Sequence, residues 1–502
     1  MQRLGKQKDR QPFCLSWDIV LFFALYAVSP AYLGLDLHTA LPVLSLSRAV
    51  LTLMAVMLIW RRRQNLSLKN MNLGLTGEQV LRWGLIVFFA LILVCDLVAI
   101  PEARSHALKG ILNFLVEGYA IILLMTLLLD SRKKLSAAIK ILVYACGVIS
   151  FIAIISCIVD LNLFHLLKTV NRKMLMSNYY RLGVLRASAS FGHPVYYGAF
   201  CAVILPLNMF FYEHGKDLKE KLFLGSAMTM TLIGLILCNS RGSLVAAALV
   251  IFLIFLGHLL NRQFKHFMLH YLPIVGAVAL CMLALVFLLP NGKTLFSGIW
   301  NSLVNILPGK SASQNSGNAD HSTDATTPGG SPSDPTTPSE TVPVTTETVP
   351  ATTAPSNKPE YGENASGMNS RMKQLTGIEW TLKHKPLFGF GPNAHTRGLI
   401  RYEFVAGKWW VFRTFDMGIV SVFCQYGILG TIGYGALYCC LLFTTIRKKY
   451  RKDPLMNALM MALVAFFLCL LTISSLDSAF WLIAGFIVCL TNIILRETSP
   501  EA

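Results

Sequence analysis

The chain has 502 residues, of which 54% are hydrophobic and 14% charged, with a mean hydropathy of +0.56. Soluble proteins carry about 25% charged residues, so an ordinary soluble globular protein is excluded. The formal charge of +18, from 44 Lys and Arg against 26 Asp and Glu, admits nucleic acid as a partner, but in a membrane protein it also arises from loops that set orientation.

Runs of about 20 apolar residues cross a hydrocarbon core as a helix. Such runs fall near 14–34, 41–60, 82–100, 110–129, 137–159, 195–212, 221–238, 242–260, 267–289, 417–446, 455–473 and 478–495. They predict an all-α membrane protein with about 12 transmembrane helices and a large extracytoplasmic loop between spans 9 and 10. The first run follows a basic start and has no clear small-residue cleavage site, so it reads as a span and not as a signal peptide. The chain divides into spans 1–5 (1–160), an outer amphipathic segment with spans 6–9 (161–289), the large loop (290–416) and spans 10–12 (417–502).

Basic clusters at the N-terminus, Arg61-Arg62-Arg63, Arg132-Lys133-Lys134, Lys216 to Lys221, Arg262 to Lys265 and Arg447 to Lys452 then share one side. That places both termini in the cytoplasm and removes nucleic acid from consideration. The twelve cysteines lie in or beside apolar runs with no C-x-x-C, as expected for free thiols packed as small hydrophobes. Asp96, Glu117 and Arg48 lie in neighbouring outer halves; internal charge pairing is preferred over a proton path.

Outside the spans, Leu163, Leu167, Val170 and Met174 oppose Lys168, Arg172 and Lys173, a pattern for a helix lying in the interface. Residues 310–360 are nearly pure Ser, Thr, Pro, Gly, Asn and acid, a composition that cannot bury enough apolar surface to order itself. Beyond this tract, Met372, Leu375, Ile378 and Leu382 recur at helical spacing, predicting a helix over about 369–385 with a Glu379 to Lys383 pair. A Gly-rich turn, Phe388-Gly-Phe-Gly-Pro-Asn393, leads into a basic aromatic stretch with Arg397, Arg401, Trp409, Trp410 and Arg413.

Four features can carry chemistry. Asn239-Ser240-Arg241 and Asn369-Ser370-Arg371 each set a guanidinium in a first helical turn, where a cation opposes the macrodipole. A helix N-terminus plus an Arg fork can hold phosphate, and two can hold pyrophosphate; the alternative is basic side chains that cap or snorkel. His193, before Pro194 at the start of span 6, reads equally as a base or donor and as a structural cap. Asp416 precedes an apolar run of about 30 residues, too long for one span, with a natural break at Gly427 and Gly430. Its carboxylate can take a proton from a sugar hydroxyl or serve as an ion-pair partner or N-cap. The chain lacks G-x-x-x-x-G-K-[ST], D-x-D, H-E-x-x-H and G-x-S-x-G, so no metal and no cofactor are expected.

In this order, Phe191-Gly-His-Pro with Tyr197-Gly-Ala, Asn239-Ser-Arg-Gly-Ser, Arg371 before Pro386-Leu-Phe-Gly-Phe-Gly, and Gly427-Ile-Leu-Gly430 resemble the O-antigen ligase and polysaccharide polymerase superfamily, over roughly 180–450. The resemblance implies a membrane glycosyltransferase in the bacterial plasma membrane, working on its extracytoplasmic face by inverting, metal-independent transfer. The donor it implies is a glycan on undecaprenyl pyrophosphate; the acceptor is a hydroxyl of a glycan, lipid or cell-wall polymer; membrane lipids surround both.

Arg241 and Arg371 match the arginines that stabilise the leaving group, with Asp416 as candidate base and Arg181, Arg186, His193, Arg397, Arg401 and Arg413 as substrate contacts. Ligases of this family place a His, usually followed by Asn, eleven residues before the Gly-Leu-Leu-Gly-like turn; here Asp416-Met417 stands there. That departure points away from a lipid A-core ligase toward a polymerase or a ligase with another acceptor. The rival from another class is a multi-span transporter or flippase of lipid-linked sugars or other envelope precursors.

Overall fold

The computed structural model describes residues 17–26, 28–36, 43–62, 76–170, 178–294, 297, 372–395, 397–405, 408–411, 415–473 and 478–498. Over these residues it is an all-α bundle. Its helices are α1 (Trp17–Leu25), α2 (Leu46–Arg62), α3 (Gln79–Phe114), α4 (Ala120–Leu128), α5 (Arg132–Ile158), α6 (Pro194–Glu213), α7 (Leu218–Leu237), α8 (Arg241–Leu260), α9 (Phe264–Leu288), α10 (Thr376–His384), α11 (Gly418–Ile446), α12 (Pro454–Cys469) and α13 (Ser478–Glu497). Three antiparallel hairpins join them: β1–β2 (Gly34–Leu35, Leu44–Ser45), β3–β4 (Tyr180–Arg181, Val184–Leu185) and β5–β6 (Arg401–Val405, Lys408–Val411). Among the described residues, eight helices are long and apolar enough to cross a membrane.

One of the eight, Gln79–Leu128, is 50 residues long and too long for one crossing at 1.5 Å per residue. It folds back on itself. Ala103, two residues after Pro101, leaves helical geometry with φ −147° and ψ 42°. Phe88 and Phe89 then meet Phe114 with ring centroids 5.3 and 5.0 Å apart, and Phe89 meets Tyr119 at 5.3 Å. A straight helix would hold such residues about 40 Å apart. The separate apolar runs 82–100 and 110–129 are the limbs of this helical hairpin, and a π turn at Leu115–Tyr119 joins α3 to α4.

The ascending limb of α3 packs antiparallel against α11. Tyr434 meets Phe88 at 4.9 Å, and a Cβ added at Gly84, Gly430 or Gly433 would stand against Cys440, Ile92 or Leu91 respectively. Small residues let membrane helices approach this closely. α11 breaks at Gly427, whose φ of 62° and ψ of −156° suit glycine alone. The break leaves a short helix over 418–426 and a longer one over 428–446.

The end of the bundle opposite the hairpin tip is laced with ion pairs. Arg132 joins Asp453 and Glu497, Arg447 and the Tyr450 hydroxyl join Glu78, and Lys140 joins Glu220. Within the bundle, Arg48 pairs with Glu117 at 2.7 Å, whereas Asp96 stays apart from that pair, its oxygens without a hydrogen-bond partner among the described residues.

One expectation is corrected. Of the amphipathic pattern at 163–174, the described part forms a 3-10 turn, Leu163–Leu167, followed by chain without regular structure to Val170, and 171–174 lie outside the described residues. Asn162 takes the N-cap there and ties the turn to Ser188 and Ala189, so the local contacts favour a fixed corner over a longer helix. The helix expected over about 369–385 is helical at 372–374 and again through α10, with the single turn residue Leu375 between and Glu379 and Lys383 paired at 2.6 Å; 369–371 lie outside the described residues. The Ser/Thr/Pro tract lies outside the described residues.

Candidate functional site

Arg241 is the first residue of α8, exposed at the surface, with no hydrogen bond or ion pair to another described residue. It follows a turn in which Asn239 adopts a left-handed φ of 48°, a conformation that Asn tolerates better than most residues. Ser240 occupies the N-cap, but its side chain does not cap the helix; the Ser243 hydroxyl donates to it instead at 3.2 Å. The free N–H groups of α8 and the unpaired guanidinium therefore share one place, the arrangement that favours an anion.

Arg181 and Arg186 point at the same turn from behind. Arg181 Nη1 donates to Asn239 O at 3.0 Å, and Arg186 donates from Nε to Cys238 O at 2.9 Å and from Nη2 to Asn239 O at 3.4 Å. The carbonyls at the end of α7 are the negative pole of its macrodipole, and the two guanidiniums satisfy them. Burial lowers the Arg186 pKa, and nearby Arg181 adds to that. The geometry gives both residues a bracing role beneath Arg241.

His193 is the N-cap of α6. Its Nδ1 accepts from Val195 N–H at 3.1 Å and its ring packs edge-on to Tyr179 at 4.4 Å. Burial first, then the Arg186 charge, pushes its pKa down to about 4. The ring is neutral at pH 7 and one nitrogen is already in use as a cap.

Asp416 lies two residues before α11, whose N-cap is Met417. It is held from both sides by one amide: Gln374 Nε2 donates to Asp416 Oδ2 at 3.1 Å, and Asp416 N–H donates to Gln374 Oε1 at 3.0 Å. Gln374 is 8% exposed, so the carboxylate is anchored to the residues leading into α10. Directly after it, Gly418 N–H donates to Leu470 O at 2.9 Å, and a Cβ at Gly418 would lie 2.8 Å from Ile473 O. On the other flank of this same turn, a Cβ at Gly242 would lie 2.3 Å from Thr472 Cγ2. Arg241 and Asp416 thus flank one turn, Leu470–Ile473, at the end of α12.

The Gly-rich turn seats on the break in α11. Phe390 and Gly391 donate to Cys424 O and Gln425 O at 3.0 and 2.8 Å, and Ile428 and Leu429 donate to Pro386 O and Leu387 O at 2.9 and 3.1 Å. Gly389 and Gly391, with φ of 66° and 81°, allow the turn to lie this close. Between it and the hairpin tip is a cavity of about 320 Å³ lined by Cys95, Val98, Ala99, Glu102, Lys385 and Pro386 to Phe390. Lys385 pairs with Glu102 at this boundary.

Arg397 donates to Phe390 O while its Nε is buried without a partner among the described residues, and burial lowers its pKa. Arg401 lies 5.5 Å over the Trp380 ring, a cation–π contact. The stretch read as an aromatic belt is the β5–β6 hairpin, with Tyr402 opposite Trp410 and Glu403 opposite Trp409.

The structure therefore brings Arg241, Arg181, Arg186 and Asp416 to one end of the bundle, with His193 behind them. Arg397 and Arg401 belong to the Gly-rich turn and hairpin, and Arg371 and Arg413 lie outside the described residues. Sequence reasoning missed Gln374, which no motif marks, and the turn 470–473, which reads only as the end of an apolar run. No curated protein matches the chain. The family model described as O-antigen ligase matches residues 226–435. That stretch runs from α7 into the second half of α11, takes in both Arg241 and Asp416, and is the part of this membrane protein that is similar to O-antigen ligase.

Proposed function

We propose that the chain is a glycosyltransferase that transfers or polymerises oligosaccharide carried on undecaprenyl pyrophosphate at the extracytoplasmic face of a bacterial plasma membrane. The observation that carries the reading is the placement of Arg241, an exposed guanidinium without a partner among the described residues, at a helix N-terminus across one turn from the anchored carboxylate of Asp416. An acceptor hydroxyl attacks the anomeric carbon, the bond from that carbon to the pyrophosphate oxygen breaks, and the electron pair leaves with the lipid pyrophosphate. Arg241 and the α8 N–H groups stabilise that developing charge, with Arg371 as the second cation of the clamp. Asp416, oriented by Gln374, takes the acceptor proton. Attack opposite the departing group inverts the anomeric centre.

Arg241→Ala and Arg371→Ala are expected to lower transfer from a lipid-linked oligosaccharide about 100-fold or more in liposomes, the scale for removing one stabiliser of transition-state charge. Asp416→Asn is expected to lower the rate about 100-fold with little change in donor affinity, as for loss of a general base. Unchanged polymer length and rate in both arginine variants would overturn the clamp. Full activity of Asp416→Asn would remove that residue as base.

A further inference from the structure

The descending limb of the α3 hairpin carries polar residues where an apolar span needs none. His106, Lys109, Asn113 and Glu117 follow at steps of three, four and four, so they form one stripe along the helix. All four are half-buried. On one flank lie Leu108, Leu112 and Leu115, 49%, 48% and 44% exposed, the side that lipid covers; on the other lie buried Ala103, Ala107 and Gly118. The stripe thus follows the seam between the lipid-facing and packed sides of the limb.

Its far end is built. Arg48 of α2 donates to Glu117 Oε1 at 2.7 Å, to Asn113 Oδ1 at 3.2 Å and to Val43 O at 2.7 Å, and the π turn presents Glu117 there. Lys109 and His106 have no partner among the described residues. Asp96, 1% exposed, has neither carboxylate oxygen hydrogen-bonded to a described residue, and Oδ1 is 3.5 Å from where a Cβ of Gly110 would stand. An unpartnered carboxyl such as that of Asp96, within the apolar run 82–100, is costly in hydrocarbon, by several kcal/mol, a cost that water or a polar ligand along the seam would offset. Its near end meets the candidate site: a Cβ at Gly110 would lie 2.9 Å from Pro392 of the Gly-rich turn.

We infer that this seam is a carbohydrate-binding groove, in which the glycan of the donor or acceptor lies along Lys109, Asn113 and the Arg48–Glu117 pair. Closely spaced donors and acceptors of both charges suit a polyhydroxyl chain, whereas a phosphate headgroup would be repelled by Glu117. The inference rests on the glycosyl-transfer reading for its ligand class.

The test places Lys109→Cys and Asn113→Cys, with off-stripe Leu112→Cys and Arg104→Cys, in the full chain in liposomes and follows labelling by a membrane-impermeant maleimide. The probe is the pool of lipid-free oligosaccharides released by mild acid from the lipid-linked glycans of the source cells. Labelling of Lys109→Cys and Asn113→Cys is expected to exceed that of Leu112→Cys. It should slow about fivefold with oligosaccharide at about four times its dissociation constant, with no change at Arg104→Cys. Failure to label, labelling that sugar does not slow, cross-linking between two copies, or equal protection at Arg104→Cys would each overturn the groove. Lys109→Gln, a milder change, should raise KM for the glycan severalfold at unchanged kcat; an unchanged KM counts against it. Arg241→Ala in the same liposomes reports on transfer separately. Its loss of activity beside unprotected Lys109→Cys leaves the transfer reading standing and removes the groove, and protected cysteines in a wild type without transfer do the reverse.

Discussion

His193 closes the N-terminus of α6 through Nδ1, which only an unprotonated nitrogen can do. Its pKa, pushed down to about 4 by burial and then Arg186, lies below the value of about 6.5 for a free ring. As pH falls, the unfolded chain takes up this proton first, so the stabilisation is complete above about pH 6.5 and is lost toward pH 4. His193→Asn keeps an oxygen for the cap without the titration. It is expected to match wild type in thermal unfolding at about pH 7.5 and to lose less stability at about pH 5; equal losses would show that this ring does not govern the acid sensitivity. At this scale the sequence was legible where a residue type has few options. Pro194 after His193 left a helix start as one of two readings, and the cap is what formed. Asp416 was visible as a lone acid before an apolar run, but Gln374 was not, because its partnership needs 42 residues of chain to fold back.

At the level of elements, the break in α11 is the piece on which the site depends. Gly427 combines a φ of 62° with ψ −156°, and a Cβ there would lie 2.5 Å from Leu387 O. Gly427→Ala therefore adds backbone strain of about 1–3 kcal/mol and pushes the Gly-rich turn off its hydrogen bonds. Expected are a lower unfolding temperature and loss of transfer. Gly435→Ala, with open space around its Cβ position, serves as the control expected to behave as wild type. Indistinguishable variants would mean that the break does not set the site. The break was legible because a run of about 30 apolar residues with two glycines exceeds one span. The hairpin limbs were legible as separate runs, although their direct stacking through Phe88, Phe89 and Phe114 was not. The described part of the segment, 163–170, shows the opposite case, in which periodicity suggested a helix and hydrogen bonds from Asn162 to distant chain prevailed.

Across the whole molecule, the two ends are held differently. The end away from the hairpin tip is tied by side-chain charges, with Arg132 of α5 bonded to Asp453, the N-cap of α12, and to Glu497 of α13. These groups are partly exposed, so the cluster contributes on the order of 1 kcal/mol and is screened by salt. Arg132→Ala is expected to lower the unfolding temperature in detergent by a few degrees at low salt and by less at high salt; a salt-independent loss would point to packing instead.

The site end is tied chiefly by backbone. The all-helical membrane class was legible from hydropathy because a bilayer imposes it, whereas the meeting of α8, α11 and the turn 470–473 depends on contacts remote in sequence. The seating of the Gly-rich turn on α11 has a consequence for inheritance of the fold. Because Pro386 and Leu387 accept through their carbonyls and Phe390 donates through its N–H, their side chains can drift without loosening that seat, while Gly389, Gly391 and Gly427 are bound to their identities by conformation. A lineage of such proteins can therefore rewrite the lining of the neighbouring cavity while the backbone frame beside it stays unaltered.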